Sequence, residues 1–411
     1  MSLSELEYAA LMPYRFVKMI KEHSNHNHLS PRYQTRIVQL RLAPGPITTR
    51  SSKLHLWDLG YSVQKAINPL PLVTLVADSL ELEAVALTLD KKELLVAVTT
   101  KDENSHDGDI SLKIYRVDPR SRTPIFHLVA ELTDFGHGNV YLTRDAAVLY
   151  RDKYVTVWNW SKNTGCKWEA SNRLSGFPIY VCDRAIIACD SEKTLRVWDF
   201  PVLLPLPSSP KLDDITTVTN TPKFSARLPN MGEEGITLSG TPVWQQGASS
   251  DCYLCAMAEE ENQLGQEDVG FSLFSIRQLA SNGQTGKDDP FIPSVLPVLG
   301  AVGKHIFGHG HPNYHSLYSS PLFTCDDHLV FCAEADSNSI VATVLPTPKK
   351  ASDSTIDPWS MSMTPADEDL DQDNFLYDFC PTSGRLVYCS TEGAREGEMC
   401  ITDFLRPPRD M

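Results

Sequence analysis

The chain has 411 residues, 42% apolar and 22% charged, a composition typical of a globular protein rather than a disordered one. Its 37 basic and 52 acidic side chains give a net charge of −15, which disfavours general binding to nucleic-acid phosphates. No uncharged apolar run reaches the roughly 18 residues of a membrane span, and the N-terminus lacks the apolar segment of a secretory signal.

The first predicted elements are two short helices. Ser4 and Glu7 have the spacing of a capping box, and the apolar residues 6, 9 and 10 share one helical face. Pro13 is expected to separate this helix from a second one over 14–23, because proline interrupts a helix. Residues 1–30 are therefore predicted to form a helical segment outside the main fold, which spans residues 31–411.

The rest of the chain repeats one strand pattern. Apolar and polar residues alternate and lead to an aromatic residue followed by a polar one, which predicts a strand with one buried face. An earlier strand and a polar turn precede each copy, so each copy is predicted to be the third strand of a small sheet. The copies are "SKLHLWDL" (52–59), a strand at Tyr115, "KYVTVWNW" (153–160), "KTLRVWDF" (193–200), a strand at Phe274, residues 338–345, and a strand at Thr402 and Asp403.

The spacing of the copies indicates the architecture. Trp158 and Trp198 lie 40 residues apart, and Tyr115 lies 43 residues before Trp158, close to the roughly 40 to 45 residues of a WD-type blade. We therefore predict an all-β, WD-repeat-like β-propeller with seven blades, and six or eight blades stay open. Wider spacings are assigned to long loops at about 201–240, 279–315 and 347–373.

Two expectations about packing follow from this architecture. The aromatic residue of each copy, such as Trp57, Trp158 or Trp198, is expected to pack between blades, because one small sheet cannot bury both of its faces alone. The first blade is expected to be incomplete, because residues 41–58 are short for two full strands.

Histidine clusters and a cysteine pair are candidates for metal or redox chemistry. The histidines lie in loop-like sequence without a nearby cysteine pair, so solvated loops are favoured over zinc binding, which stays the lesser alternative. Cys252 and Cys255 form C-x-x-C within a strand pattern, where their side chains point to opposite faces, so buried thiols are expected. The histidines are His23, His26, His28, His305, His309, His311 and His315, and further strand cysteines are Cys182, Cys189, Cys332 and Cys389.

Two further patterns resemble functional motifs. The sequence "GHGN" at 136–139 lacks the layout of a phosphate-binding loop, and Gly136-His137 lies 21 residues before Trp158, where WD-type blades commonly carry a Gly-His pair. The acidic run 367–371 lacks the glycine and final glutamate of a calcium loop and is predicted to be solvated. No nucleophile elbow, zincin motif or dinucleotide fingerprint is present. We therefore predict a protein that is not an enzyme, with no catalytic, cofactor-binding or metal-ligating residue.

Three segments carry a resemblance to a known family. "LHLWDLG" (54–60), "DFCPTSGRL" (378–386) and "DFLRPP" (403–408) look like the C-terminal, WD-repeat-like portion of F-box proteins of basidiomycete fungi, and the likeness covers the chain nearly end to end. The resemblance implies an N-terminal F-box that docks on the adaptor of a cullin-RING ubiquitin ligase, and a β-rich part that recruits a substrate. An F-box is expected before Ser4 and is missing here, so no residue of this chain inherits adaptor docking. A truncation, a gene-model error and a natural relative without an F-box would all look alike.

The function predicted from these observations is a non-catalytic protein-interaction propeller, the substrate-recognition part of an F-box-type ubiquitin-ligase receptor. We expect protein partners at loops on one propeller face, and the ligase adaptor only through an upstream F-box. Nucleic acid, membranes and cofactors are not expected. Cysteines within strands and the lack of an export signal predict an intracellular protein, cytoplasmic or nuclear. A scaffold of an unrelated complex and a hydrolytic propeller enzyme are the alternatives.

Overall fold

Strands dominate the computed structural model of the chain, and antiparallel pairing joins them into sheets. Alternation of apolar and polar residues produces most of these strands, as in Val155 and Val157 of one repeat copy. The structure describes residues 11, 14–21, 34–39, 51–58, 70–88, 90, 92–101, 110–136, 138–143, 145–151, 153–170, 179–182, 185–189, 194–227, 237–240, 252–261, 267–276, 323–325, 328–336, 339–346, 359–363, 375–380, 384–390 and 398–403.

The first half of the chain contributes four sheets, which follow one another in sequence. The first described strand, β1 (Gln34–Gln39), belongs to a later sheet. Sheet 1 contains β2 (Ser51–Leu56) and β3 (Val73–Asp78). Sheet 2 contains β4 (Leu80–Leu87), β5 (Leu94–Lys101), β6 (Ile110–Val117) and β7 (His127–Leu132). Sheet 3 contains β8 (Asn139–Leu142), β9 (Ala147–Arg151), β10 (Tyr154–Asn159), β11 (Thr164–Glu169) and, at its edge, β15 (Leu204–Pro205). Sheet 4 contains β12 (Tyr180–Cys182), β13 (Ala185–Cys189), β14 (Thr194–Asp199) and β16 (Phe224–Arg227).

The second half contributes three more sheets in the same manner. Sheet 5 contains β17 (Thr237–Gly240), β18 (Cys252–Glu261) and β19 (Glu267–Ile276). Sheet 6 contains β20 (Phe323–Cys325), β21 (His328–Asp336), β22 (Ser339–Pro346) and β23 (Trp359–Met363). Sheet 7 contains β24 (Phe375–Cys380), β25 (Arg385–Ser390) and β26 (Glu398–Asp403), and β1 is its fourth strand.

The two ends of the described chain meet in sheet 7. Strand β1 pairs antiparallel with β26, from Gln34 opposite Asp403 to Gln39 opposite Glu398. Strand β4 lies beside both β2 and β8, so the first strands of successive sheets are neighbours. Sequential antiparallel sheets closed by the first strand form a β-propeller, which confirms the predicted all-β, WD-repeat-like fold. The described residues contain seven sheets, and the number of blades in the complete ring stays a prediction.

All repeat copies but one are seen at the predicted strand position. The copies at Tyr115, Trp158, Trp198, Phe274, residues 338–345 and Thr402 lie in the third strands β6, β10, β14, β19, β22 and β26 of their sheets. The copy before Trp57 was expected to be a third strand as well. It forms β2, the first of the two described strands of sheet 1, and it lies beside the first strand of sheet 2. Residues 40–50 lie outside the described residues, so the position of β2 in the complete sheet stays a prediction.

Two tryptophans of the repeat pack between sheets, as predicted. Trp158 of sheet 3 is buried in a cluster with Leu95 and Leu112 of sheet 2, and Trp198 of sheet 4 is buried in a cluster with Trp168 of sheet 3. Each side chain therefore shields apolar surface of two sheets from water, the dominant favourable term in folding. Trp57 is only half-buried.

Residues 201–223 form a strap along the outer edge of sheet 3, within the region predicted as a long loop at 201–240. Leu204 pairs with Gly165 of β11, and further along Lys167 of β11 donates its N–H to Thr216 (2.9 Å). The strap then reaches sheet 2, where the N–H of Thr133 bonds the carbonyl oxygen of Pro210 (3.2 Å). An otherwise open strand edge is thereby covered, which protects it from pairing with another chain.

The outcome for the three predicted loops differs. The first also holds β16 and β17, so it is shorter than 201–240. The third, 347–373, is interrupted by β23. The loop predicted at 279–315 lies outside the described residues.

The N-terminal helix confirms the second predicted helix over residues 14–21. Phe16, Val17 and Ile20 are buried, at the i, i+1 and i+4 positions of one apolar face. Lys21 contacts sheet 6, because its Nζ donates to Nε2 of His328 (2.6 Å) and lies 4.3 Å from the centre of the Trp359 ring. The first predicted helix and the boundary at residue 30 lie outside the described residues.

Candidate interaction surface

One row of side chains crosses all four strands of sheet 2 on the face that points to sheet 1. Val85 lies opposite Val96, Val96 opposite Tyr115, and Tyr115 opposite Leu128. Residues opposite each other in antiparallel strands share a face, so these four form one apolar row. The middle of the row is buried and its ends are not: Val96 is 5% exposed, Val85 54% and Leu128 51%.

The other face of sheet 2, which points to sheet 3, is covered much better. Ala97 and Ile114 are fully buried there, in the cluster that contains Trp158. The strap adds Leu212 and Ile215 to the same cluster, so it fills the outer part of the gap between sheets 2 and 3. The two faces of sheet 2 therefore differ in burial, because sheet 3 and the strap pack against one face and sheet 1 packs against the other.

Sheet 1 covers only part of sheet 2. Its two described strands lie beside the two inner strands of sheet 2, β2 beside β4 and β3 beside β5. Leu54 and Leu75 of sheet 1 also pack in one cluster with Val117 and Tyr115 of β6. Residues 40–50 and 59–69 lie outside the described part of the chain, so the expected incomplete first blade stays a prediction. Among the described residues, Leu128 at the outer margin of this face is exposed.

The apolar side chains at this outer margin are here called the rim patch: Tyr115 of β6, Leu128 of β7, and Ile125 and Phe126 just before β7. Tyr115 and Phe126 are partly buried and meet edge to face, with ring centres 6.2 Å apart, whereas Ile125 and Leu128 are exposed. Burial, together with the nearby charge of Glu131, raises the pKa of the Tyr115 phenol, which therefore stays neutral at physiological pH. Apolar side chains grouped at the surface are typical of a protein-binding site.

The next row of the same face is polar. Lys113 lies opposite Glu131, and their Nζ and Oε1 atoms are 3.7 Å apart. This ion pair borders the rim patch on one side. A partner that covers the rim patch would therefore meet apolar and charged side chains in adjacent rows.

The residues singled out in the sequence are placed as follows. All seven histidines of the two clusters and the acidic run 367–371 lie outside the described residues, so the preference for solvated loops stays a prediction. Cys252 and Cys255 lie in β18, opposite Ile276 and Leu273, which confirms that they belong to a strand. Among the residues whose positions are described, no three His, Cys, Asp or Glu side chains are arranged to hold a metal ion.

The Gly136 turn has a structural role. Gly136 has a φ of +70°, and a Cβ atom there would lie 2.7 Å from Nη1 of Arg151. The same nitrogen of Arg151 donates to the carbonyl oxygen of Phe135 at 2.8 Å. Strand β8 begins at Asn139, and no helix follows the turn. The structural role of Gly136 is therefore confirmed, whereas His137 of the pair lies outside the described residues.

The sequence did not single out the rim patch. The exposed Leu128 lies in a strand next to the apolar Val129, and the buried Val96 also has apolar neighbours, Leu95 and Ala97, so local pattern does not identify Leu128 as exposed. The available signal was indirect, namely the short stretch 41–58 for the first blade. Exposure at the rim depends on how a neighbouring sheet packs against sheet 2, which local pattern does not reveal.

Comparisons with known proteins give fold-level similarities only. No protein-family profile and no curated protein matches the chain. Similar solved structures include Atg21 in complex with the coiled coil of Atg16, with 11% identity over 75% of this chain and 78% of that one and a TM-score of 0.38. The N-terminal domain of Nup159 has 10% identity over 79% and 76% of the two chains and a TM-score of 0.35. The WD40 repeats of RRP9 have 8% identity over 80% and 95%, with a TM-score of 0.30.

Proposed function

We propose that this protein is a non-catalytic protein-interaction propeller and the substrate-recognition part of an F-box-type ubiquitin-ligase receptor. The rim patch is the observation that supports protein binding, because Ile125 and Leu128 are exposed beside the two partly buried rings of Tyr115 and Phe126. The three segments that resemble F-box proteins support the ligase role. We further propose that the protein works inside the cell.

The proposal assigns substrate binding and adaptor binding to two different parts of a receptor. The propeller holds the substrate protein, and an F-box encoded upstream would hold the ligase adaptor. Substrate recognition of this kind needs only a rigid surface, since the ligase supplies the chemistry. A closed ring of sheets gives such a surface.

The test is affinity purification of the protein expressed from its own gene, with all upstream coding sequence, from cells treated with a proteasome inhibitor. We expect recovery of the adaptor and cullin subunits together with a protein whose ubiquitinated form declines when the gene is deleted. A stable stoichiometric complex without ligase subunits would instead support the scaffold alternative and contradict the receptor proposal.

A further inference from the structure

We propose that the outer edge of β3 and the rim patch together form a docking site for an extended peptide segment of a partner protein, which joins sheet 1 as an additional strand. This inference rests on the proposed function, since it names the kind of partner segment that the propeller binds. The edge of β3 that pairs with no described strand, the exposed residues of the rim patch and the polar row beside them carry the argument.

The edge of β3 supplies the backbone part of the site. β3 pairs with β2 along its whole length, from Val73 opposite Leu56 to Asp78 opposite Ser51. Within the described part of the chain, no strand pairs with the other edge of β3. The N–H and C=O groups on such an edge can bind an extended peptide by main-chain hydrogen bonds. A helical segment would leave them unpaired, because its own backbone groups are already bonded.

The rim patch supplies the side-chain part of the site. β3 lies beside β5, so a strand added to its outer edge would lie beside β6. Alternate side chains of the added strand point to the same face as Leu54 and Leu75, which already pack against sheet 2. Those side chains would cover Tyr115 and Leu128. The added strand would thus bury the side chains that the described strands of sheet 1 leave exposed.

The chemistry of the occupant follows from the two rows. Because β3 has six residues, the paired part of the peptide should have about six residues. It should carry apolar side chains at alternate positions, facing Tyr115, Phe126 and Leu128. One of the inward positions should be polar, because the Lys113 and Glu131 pair lies in the adjacent row.

The experiment is selection of a phage-displayed library of random 12-residue peptides on the purified full chain. We expect selected peptides with alternating apolar residues, and synthetic versions should lose binding when alternate backbone amides are N-methylated. Leu128→Asp should weaken their binding at least about tenfold, because a charge replaces a buried apolar contact. The matched control is Val202→Asp at an exposed apolar position of the strap, which should leave binding unchanged.

Three results would overturn the docking site: no peptide is enriched, selected peptides are insensitive to Leu128→Asp, or N-methylation has no effect. Thermal unfolding of Leu128→Asp checks that the variant folds, and Ile125→Asp, also at an exposed position, replaces it if it does not. Recovery of ligase subunits does not depend on this site. A failed peptide selection would therefore not contradict the ligase proposal. A purification without ligase subunits would likewise leave the peptide site open to its own test.

Discussion

At the scale of single residues, Trp158 shows how the repeat stabilises the ring. Its side chain is fully buried between sheets 2 and 3, and its indole Nε1 has no hydrogen-bond partner. The contribution of this residue is therefore apolar packing alone. Trp57, which directly follows β2 of sheet 1, is only half-buried.

Substitution of Trp158 tests this packing role. Trp158→Ala should lower the free energy of unfolding by about 3–5 kcal/mol, because it leaves a large cavity. Trp158→Phe should cost much less, since it keeps most of the apolar volume and breaks no hydrogen bond. Urea unfolding measures both values, with Trp57→Ala as the matched control, which should cost less than Trp158→Ala. Equal losses for the two alanine variants would contradict the role in packing between sheets.

Two cysteines should differ in reactivity. Burial raises the pKa of the Cys166 thiol to about 11, whereas Cys380 is exposed. Raising the pKa of an acid keeps it protonated, so at pH 8 only about one Cys166 in a thousand is the reactive thiolate. Iodoacetamide should modify Cys380 first and Cys166 only after denaturation, as measured by peptide mass spectrometry. Equal labelling of both in the native protein would disprove the burial of Cys166.

At the scale of elements, the strap should act as a brace between sheets 2 and 3. Ile215 is buried in the cluster between the two sheets. Lys211, by contrast, is exposed and forms an ion pair with Asp134 (2.9 Å). Ile215→Ala should therefore destabilise the protein by about 2–5 kcal/mol. Lys211→Ala, the control on the same strap, should cost less than about 1 kcal/mol. Urea unfolding compares the two, and a larger loss for Lys211→Ala would show that the strap does not pack as described.

Sequence pattern predicts elements well where neighbours in the chain determine them. The hairpin of β9 and β10 follows from the alternation around Val155 and the polar turn at 151–153, both of which are local. The strap was missed because its partners, Gly165 and Thr133, are distant in sequence and its Pro- and Ser-rich composition is typical of a loop. The rim patch was missed for a related reason, since exposure of Leu128 depends on how a neighbouring sheet packs against sheet 2.

At the scale of the whole molecule, sheet 7 closes the ring, and a buried ion pair lies in it. Arg385 Nε is 2.7 Å from Asp403 Oδ1, with side chains only 12% and 6% exposed. Asp403 is also the residue that lies opposite Gln34 of β1. The pair therefore lies where the two ends of the described chain meet.

Removing one partner of this ion pair should lower the free energy of unfolding of the closed ring. Asp403→Ala should cost about 3–5 kcal/mol, because the guanidinium of Arg385 would stay buried without its carboxylate. The control is Glu169→Ala, which removes the exposed ion pair with Lys153 and should cost less than about 1 kcal/mol. Thermal and urea unfolding measure both, and similar losses would mean that the Asp403 pair does not contribute to closure.

The closed ring described above depends on the pairing of β1 with β26. Ile37 lies opposite the native Cys400 in this pairing, and opposite residues in antiparallel strands are about 4.5–5.5 Å apart at Cα, within reach of a disulfide. The measurement is oxidation of purified Ile37→Cys protein, with the crosslink between the introduced thiol and Cys400 identified by peptide mass spectrometry under non-reducing conditions. An intramolecular disulfide for Ile37→Cys and none for the register control Val38→Cys is the predicted result. No crosslink for Ile37→Cys, or equal crosslinking of both variants to Cys400, would contradict a ring closed in this register.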